Sequence, residues 1–339
     1  MNSISRTAVR LVAGASVAGL ALSVAACGSD SSKAGEGTTS SGVRMAFVNG
    51  FSGGGPVDDF IAGMTCYADQ HHLSAPVTTV ADGDVNKQLN DIDSLIARSG
   101  KIDGLFVMPV DPAALKPAYK RAIDAKMAVI DPVSPNADGT YATDASSHVA
   151  PDDAGVPQML VDYLTKQATG VKRVAVLSPP PGQPMSDLRA QAFKEKAAAA
   201  GIEVARVINL DKITTEAAQT KVEDLLTSDP NIDAIFAQNG AMARGAALAA
   251  KSQGKQLTVI SIDSDAETLA AVKAGEINAS FGADLFTVGY LGSVQAQKVK
   301  DGEKVDFVSV PYTRYTKDNA TVPSNTERCA TATKGSNAS

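Results

Sequence analysis

Ile102-Asp103-Gly104-Leu105-Phe106 returns as Ile232-Asp233-Ala234-Ile235-Phe236, and Ala128-Val129-Ile130 returns at the same spacing as Thr258-Val259-Ile260. Two matches at one offset mark two halves of one architecture. Each repeated stretch is a short apolar, β-branched run, the pattern of a strand buried on both faces. Similar runs occur at Arg44–Val48, Val77–Val80, Arg173–Leu177, Val204–Ile208 and Ala279–Gly282. Between them lie amphipathic stretches at Val57–Gln70, Lys87–Ile96, Pro112–Ala125, Ser186–Ala200, Thr214–Thr227, Gly240–Gln253 and Asp265–Ala274. Strands alternating with helices predict βαβ units and parallel sheets, and the halves divide near Ala150–Ala154. In an open parallel sheet a ligand sits outside the carboxyl ends of the strands. Two such sheets facing each other make a cleft.

The first residues carry an address. Arg6 and Arg10 precede an apolar run from Leu11 to Leu22 and then Val24-Ala25-Ala26-Cys27, the parts of a secretory signal whose cut falls before a cysteine. The match is to a lipoprotein signal, with residues 1–26 removed and Cys27 acylated as the mature N-terminus. The apolar run falls short of the ~20 residues a spanning helix needs. Residues 27–42, rich in Ser, Gly and Thr, fit a flexible tether. The expected place is outside the cytoplasm, on the membrane by a lipid anchor.

Without residues 1–26 the chain holds 29 basic and 37 acidic residues, a net charge of -8. That argues against nucleic acid or anionic lipid as the binding partner, since either favours a basic face. Two cysteines remain, Cys66 and Cys329, and in an exported chain they are expected to pair. With Cys66 on the first helix, the bridge would fasten the tail to the first half. Three histidines without ligand spacing leave no metal site in prospect.

The predicted strand tips carry mostly polar groups. Asp131, Asp263 and Asp284 accept hydrogen bonds, Arg189 donates a planar fork, and Asn239 does both. Hydroxyl-rich ligands require that mixture, because an unmatched buried partner costs about 1–3 kcal/mol. The competing role for each aspartate is a helix N-cap, most directly for Asp263 and Asp265. Gly53-Gly54-Gly55-Pro56 is neither a dinucleotide nor a P-loop pattern and reads as a permissive turn that lets backbone approach a ligand, with Asp58 and Asp59, in the first turn of the next helix, as further candidates to face the cleft. His71, His72 and His148 lie in no catalytic motif and read as solvated side chains, so no catalytic residue and no cofactor is assigned.

At this point the chain resembles the periplasmic sugar-binding proteins of the ribose-binding type, the solute receptors of ABC importers. Ile235-Phe236-Ala237-Gln238-Asn239-Gly240-Ala241-Met242-Ala243-Arg244-Gly245-Ala246 is similar to that family's F-A-Q-N-D-x-M-A-x-G-A. Arg189-Ala190-Gln191-Ala192-Phe193 resembles R-x-x-G-F, Val259-Ile260-Ser261-Ile262-Asp263 resembles V-x-G-F-D, and Val129-Ile130-Asp131 resembles V-I-T-L-D. The resemblance covers residues 42–322, nearly all of the folded body. The resemblance implies that Asp131, Arg189, Asn239 and Asp263 contact sugar hydroxyls and ring oxygen. Departures at Pro132, Gly240 and Ala283, with Asp284 beside the last, imply a pocket other than a ribose pocket. Sugar rings pack on aromatic faces; here there is no Trp, and the cleft candidates are Phe51, Phe60, Phe281 and Phe286. That thin supply points to a monosaccharide, a polyol or a related metabolite.

The expected architecture is α/β, of the type I periplasmic binding protein kind: two doubly wound parallel-sheet lobes joined by a three-crossing hinge. The expected lobes are 43–150 plus 283–311 and 151–282 plus 312–322, followed by a tail at 323–339. The expected function is that of a monomeric, non-enzymatic receptor that closes on one small solute and delivers it to an ABC transporter permease. Two rivals are a receptor presenting its ligand to a signalling protein, and a carbohydrate hydrolase using Asp131 and Asp263 as a carboxylate pair.

Overall fold

The computed structural model describes residues 42–51, 55–134, 140–168, 170–180 and 184–336. The signal peptide, Cys27, the tether up to residue 41, and Gly53 and Gly54 of the glycine run lie outside the described residues.

The first lobe opens with β1 (Met45–Asn49), α1 (Gly55–Gln70), β2 (Val77–Val80), α2 (Val85–Ile96), β3 (Gly104–Met108), α3 (Pro112–Asp124), β4 (Ala128–Asp131) and β5 (Ser147–Pro151). The second follows with α4 (Val156–Lys166), β6 (Arg173–Ser178), α5 (Pro184–Ala199), β7 (Glu203–Asn209), α6 (Thr215–Ser228), β8 (Ala234–Ala237), α7 (Gly240–Ser252), β9 (Thr258–Ile262), α8 (Ala266–Ala274) and β10 (Ala279–Ala283). The chain then returns to the first lobe for α9 (Leu285–Lys300) and β11 (Val308–Val310), crosses again for β12 (Tyr312–Tyr315), and ends in α10 (Asn325–Ser336).

The strand orders are β11-β5-β4-β3-β1-β2 and β12-β10-β9-β8-β6-β7. Position by position the sheets are equivalent, so the repeated stretches are β3 with β8 and β4 with β9. All described pairings are parallel except β10 with β12. Three strand-level crossings join the lobes, after β5, after β10 and between β11 and β12.

Each sheet is covered on both faces, which is why its strands read as continuous apolar runs. In β1, Met45 and Phe47 pack towards α1 and α9, whereas Ala46 and Val48 pack towards α2 and α3. Period-two alternation thus divides one run between two cores. The repeated Ile-Asp pair has a structural use. Asp103 accepts the backbone N–H of Arg44 at 2.9 Å, and Asp233 accepts that of Arg173 at 2.9 Å, so each aspartate fixes the start of the strand beside its own. Asp103 also takes Arg44 Nε at 2.7 Å. Burial opposes its charge, yet Arg44 and Lys300 hold the carboxyl down at about 2.

Two glycines set the packing of α1 on α9. A Cβ on Gly63 would lie 1.9 Å from the Phe286 carbonyl oxygen, and one on Gly289 would lie 2.2 Å from that of Phe60. The helices meet backbone to backbone at these points, and only glycine permits it. Cys66 on α1 and Cys329 on α10 form a disulfide with Cα atoms 5.8 Å apart.

Candidate functional site

A cavity of about 690 Å³ lies at the strand tips of the second lobe, beside the crossings. Arg189, Gln238, Asp263 and Tyr312 line it, with Pro151, Ala283 and Asp59 at its first-lobe and hinge side.

Arg189, on α5, reaches back to the first crossing. Its Nε donates to Oδ1 of Asp153 at 2.7 Å, and the Tyr312 hydroxyl donates to the same oxygen at 2.8 Å. Ser134 Oγ, from the first lobe, donates to the other oxygen at 3.3 Å. Burial works against the Arg189 charge, but Tyr312, Asp153 and Asp263 more than offset it and raise its pKa. The guanidinium is therefore a permanent cation in a fixed orientation.

Asp263 follows the last residue of β9. Its Oδ2 accepts Asn239 Nδ2 at 2.8 Å and the Gly240 N–H at 2.9 Å, the latter at the N-terminus of α7. Among the described residues no donor takes Oδ1, which leaves that oxygen for a guest. Burial, the largest effect, pushes the carboxyl up to about 6; Asp265 adds to this, while Gly240, Arg189 and Arg244 oppose it. Asp263 has φ of 124°, a region that costs a non-glycine residue about 1–3 kcal/mol. Strain retained at this point of the cavity wall fits a residue held for what it contacts. The N-cap role belongs to Asp265, which accepts Thr268 N at 3.0 Å and caps α8.

Gln238 was not singled out as a site residue from the sequence. Its Nε2 donates to Ser178 Oγ and to the Ser186 carbonyl, both at 2.9 Å. Its Oε1 is buried without a partner although the residue lines the cavity. An orphaned acceptor of this kind requires a donor from water or a ligand. Gln238 stands one residue before Asn239 in the F-A-Q-N stretch, and the signal that would have found it is its place at the tip of β8.

Other sequence candidates lie elsewhere. Asn239 is the N-cap of α7, its Oδ1 accepting Ala241 N at 2.8 Å, so it positions Asp263 from behind. Asp131 is fully buried in the first lobe. The β4–β5 register sets it opposite His148, and its carboxylate receives His148 Nδ1 and Thr143 Oγ1, both at 2.6 Å. Asp131 is the last residue of its strand and faces the core, whereas Val133 and Ser134 stand at the tip. The carboxylate pairing of Asp131 with Asp263 is therefore not formed. His148, expected in solvent, is buried in β5 and lies flat against Tyr141 with ring centroids 3.8 Å apart. Asp284 caps α9, accepting Thr287 Oγ1 at 2.6 Å, and faces a second hollow behind the hinge with Thr287 and Tyr315. Asp59 lines the main cavity but pairs with Arg328 at 2.7 Å. Asp58 is exposed and, like Phe51, is not on the cavity wall. Phe60, Phe281 and Phe286 are core residues, leaving Phe51, 43% exposed, as the one solvent-facing ring of the four.

Two lobes on one plan, with a cavity lined by Arg189 and Asp263 where strand tips meet the crossings, define a two-lobed binding protein. Residues 45–304 match the family described as periplasmic binding protein domain, and the chain belongs to that family. It is 31% identical over 220 residues to the ribose import binding protein RbsB of Salmonella typhimurium, covering 65% of this chain and 72% of that one. It is 27% identical over 280 residues to the xylitol-binding protein of Mycolicibacterium smegmatis, covering 81% and 75%. The crystal structure of a periplasmic ribose ABC transporter protein from Conexibacter woesei has the same fold, with a TM-score of 0.74 at 22% identity, covering 85% of this chain and 97% of that one.

Proposed function

We propose that this protein captures a small sugar or sugar-like polyol between its lobes, outside the cytoplasm, and delivers it to an ABC transporter permease without altering it. The observation that carries this reading is the donor and acceptor set on one cavity: the Arg189 fork and the uncommitted Asp263 Oδ1, with the Gln238 side chain beside them. Hydroxyls of a polyol donate to the Asp263 oxygen and accept from the fork, so a guest of that class satisfies both charged groups of the wall. The ribose and xylitol receptors among its relatives support the same ligand class. Closure follows when the guest gains first-lobe contacts that the open form lacks.

A thermal-shift panel of pentoses, hexoses and polyols, with D-ribose and xylitol included, tests this. A binder raises Tm by mass action, and the guest is expected back unchanged after release by denaturation. Arg189→Ala and Asp263→Ala are each expected to abolish the shift while leaving a folded protein. A panel with no response, or chemical conversion of the guest, overturns the reading. The lipid anchor at Cys27 belongs to the same proposal, and Cys27→Ser is expected to release the protein from the membrane fraction.

A further inference from the structure

We propose that the C-terminal segment is a fastened strap that holds the two lobes together along one flank of the cavity and so fixes the side on which the cleft opens. The segment lies beyond residue 304, where the family match ends, and the proposal concerns lobe motion rather than the nature of the guest.

After β12 the chain stays with the second lobe, where Tyr315, Ala320 and Val322 pack on its core. Within a few residues it belongs to the first. Helix α10 begins at Asn325 and lies on α1 and α9, with Cys329 and Ala332 against the first-lobe core. Three fastenings hold it there. Cys329 is bonded to Cys66. Arg328 donates from one terminal nitrogen to Asp59 on α1 at 2.7 Å and lies 3.4 Å from Asp284 at the second crossing with the other. Its guanidinium carbon also sits 4.8 Å from the centroid of Phe286 on α9. Among the described side chains of α10, Asn325, Thr326, Glu327, Ala330 and Thr331 are exposed, and a short helix is marginal without tertiary fastenings of this kind.

Only Pro323 and Ser324 separate the second-lobe anchor at Val322 from the first turn of α10. A chain advances at most ~3.3–3.6 Å per residue, so the three steps from Val322 to Asn325 span at most roughly 10–11 Å and cap how far the lobes can part at this flank. Rotation about the three crossings can therefore part the lips remote from the strap, while the strapped flank stays shut. The same residues form a wall of the cavity: Thr321, Ser324, Asn325 and Arg328 share it with Arg189 and Asp263. A guest thus enters from the opposite side and meets a wall supplied by the tail.

The test needs no guest. Small-angle X-ray scattering is measured on the ligand-free protein, on a variant with Gly-Ser-Gly-Ser inserted between Pro323 and Ser324, and on the Cys66→Ser/Cys329→Ser double variant. The insertion keeps both anchors and the disulfide but adds roughly 13 Å of reach. Both variants are expected to shift to a larger radius of gyration and a longer maximum dimension, with unchanged far-UV circular dichroism. If the double variant does not fold, the insertion variant alone decides. An insertion variant with the parent's scattering profile overturns the strap, whatever the sugar panel gives.

Discussion

Arg189, on the second lobe, donates to Oδ1 of Asp153, on the first crossing, at 2.7 Å, so the cation on the cavity wall is held by a carboxylate of the hinge. Both side chains are largely buried, and removing one partner of such a pair costs about 3–5 kcal/mol because the other charge is stranded. Asp153→Ala is expected to lower the unfolding free energy by that order, read as a lower midpoint in urea titrations. Asp153→Asn, which keeps an acceptor for Tyr312, is expected to lose less. Equal midpoints for Asp153→Ala and parent would show that the pair is not a stability element.

Asp263 makes stability depend on pH. Its carboxyl rises from 3.8 to about 6 on folding, so between those values the folded state binds more protons than the unfolded one. The favourable contribution is complete below about pH 4 and is lost as pH rises through about 6. Asp263→Asn removes this titration. Relative to the variant, the ligand-free parent is expected to lose on the order of 3 kcal/mol across that window. Urea midpoints measured from pH 3.5 to 8 check this, and a constant gap between the two proteins would contradict it.

Asp131 separates a structural carboxylate from a ligand contact. Asp131→Ala strands His148 and Thr143 in the first-lobe core, at about 1–3 kcal/mol for each group left unpaired. The variant is expected to melt at lower temperature yet keep the parent's affinity for whichever panel sugar binds. Lost affinity at unchanged stability would return Asp131 to the cleft.

The α1–α9 contact gives a prediction remote from any ligand. Gly63→Ala places a methyl group 1.9 Å from the Phe286 carbonyl oxygen, too close to accommodate without separating the helices. Overpacking of this kind costs typically 1–3 kcal/mol. Differential scanning calorimetry is expected to show a lowered Tm, and an unchanged Tm would mean that the two helices can separate freely.

Much of this architecture was legible because parallel strands covered on both faces leave apolar runs, and because the repeated Ile-Asp pair has the same task in each lobe. Strand β5 was not legible: Ser147 and His148 break its apolar run, and what makes His148 a strand residue is a partner, Asp131, seventeen positions back in the chain. The cavity was read in part. Arg189, Asp263 and Asp59 line it, but Gln238 was passed over for Asn239 and Asp131 was placed in it. At a strand tip one step along the chain reverses the side chain between core and cleft, and composition does not record which step ends the strand. The tail was legible in its cysteine pairing, whereas its place on the cavity wall depends on contacts with both lobes.

The return of the chain for α9 and β11 governs when each lobe can be completed. Strands β6 to β10 and their helices emerge from the ribosome as one uninterrupted stretch, whereas the backbone contact that α1 requires, with α9, arrives roughly two hundred residues after α1 itself. Contacts so distant in sequence form late. The amino-terminal half therefore remains unfinished throughout most of synthesis, while the block from β6 to β10 can begin to fold as soon as it is made.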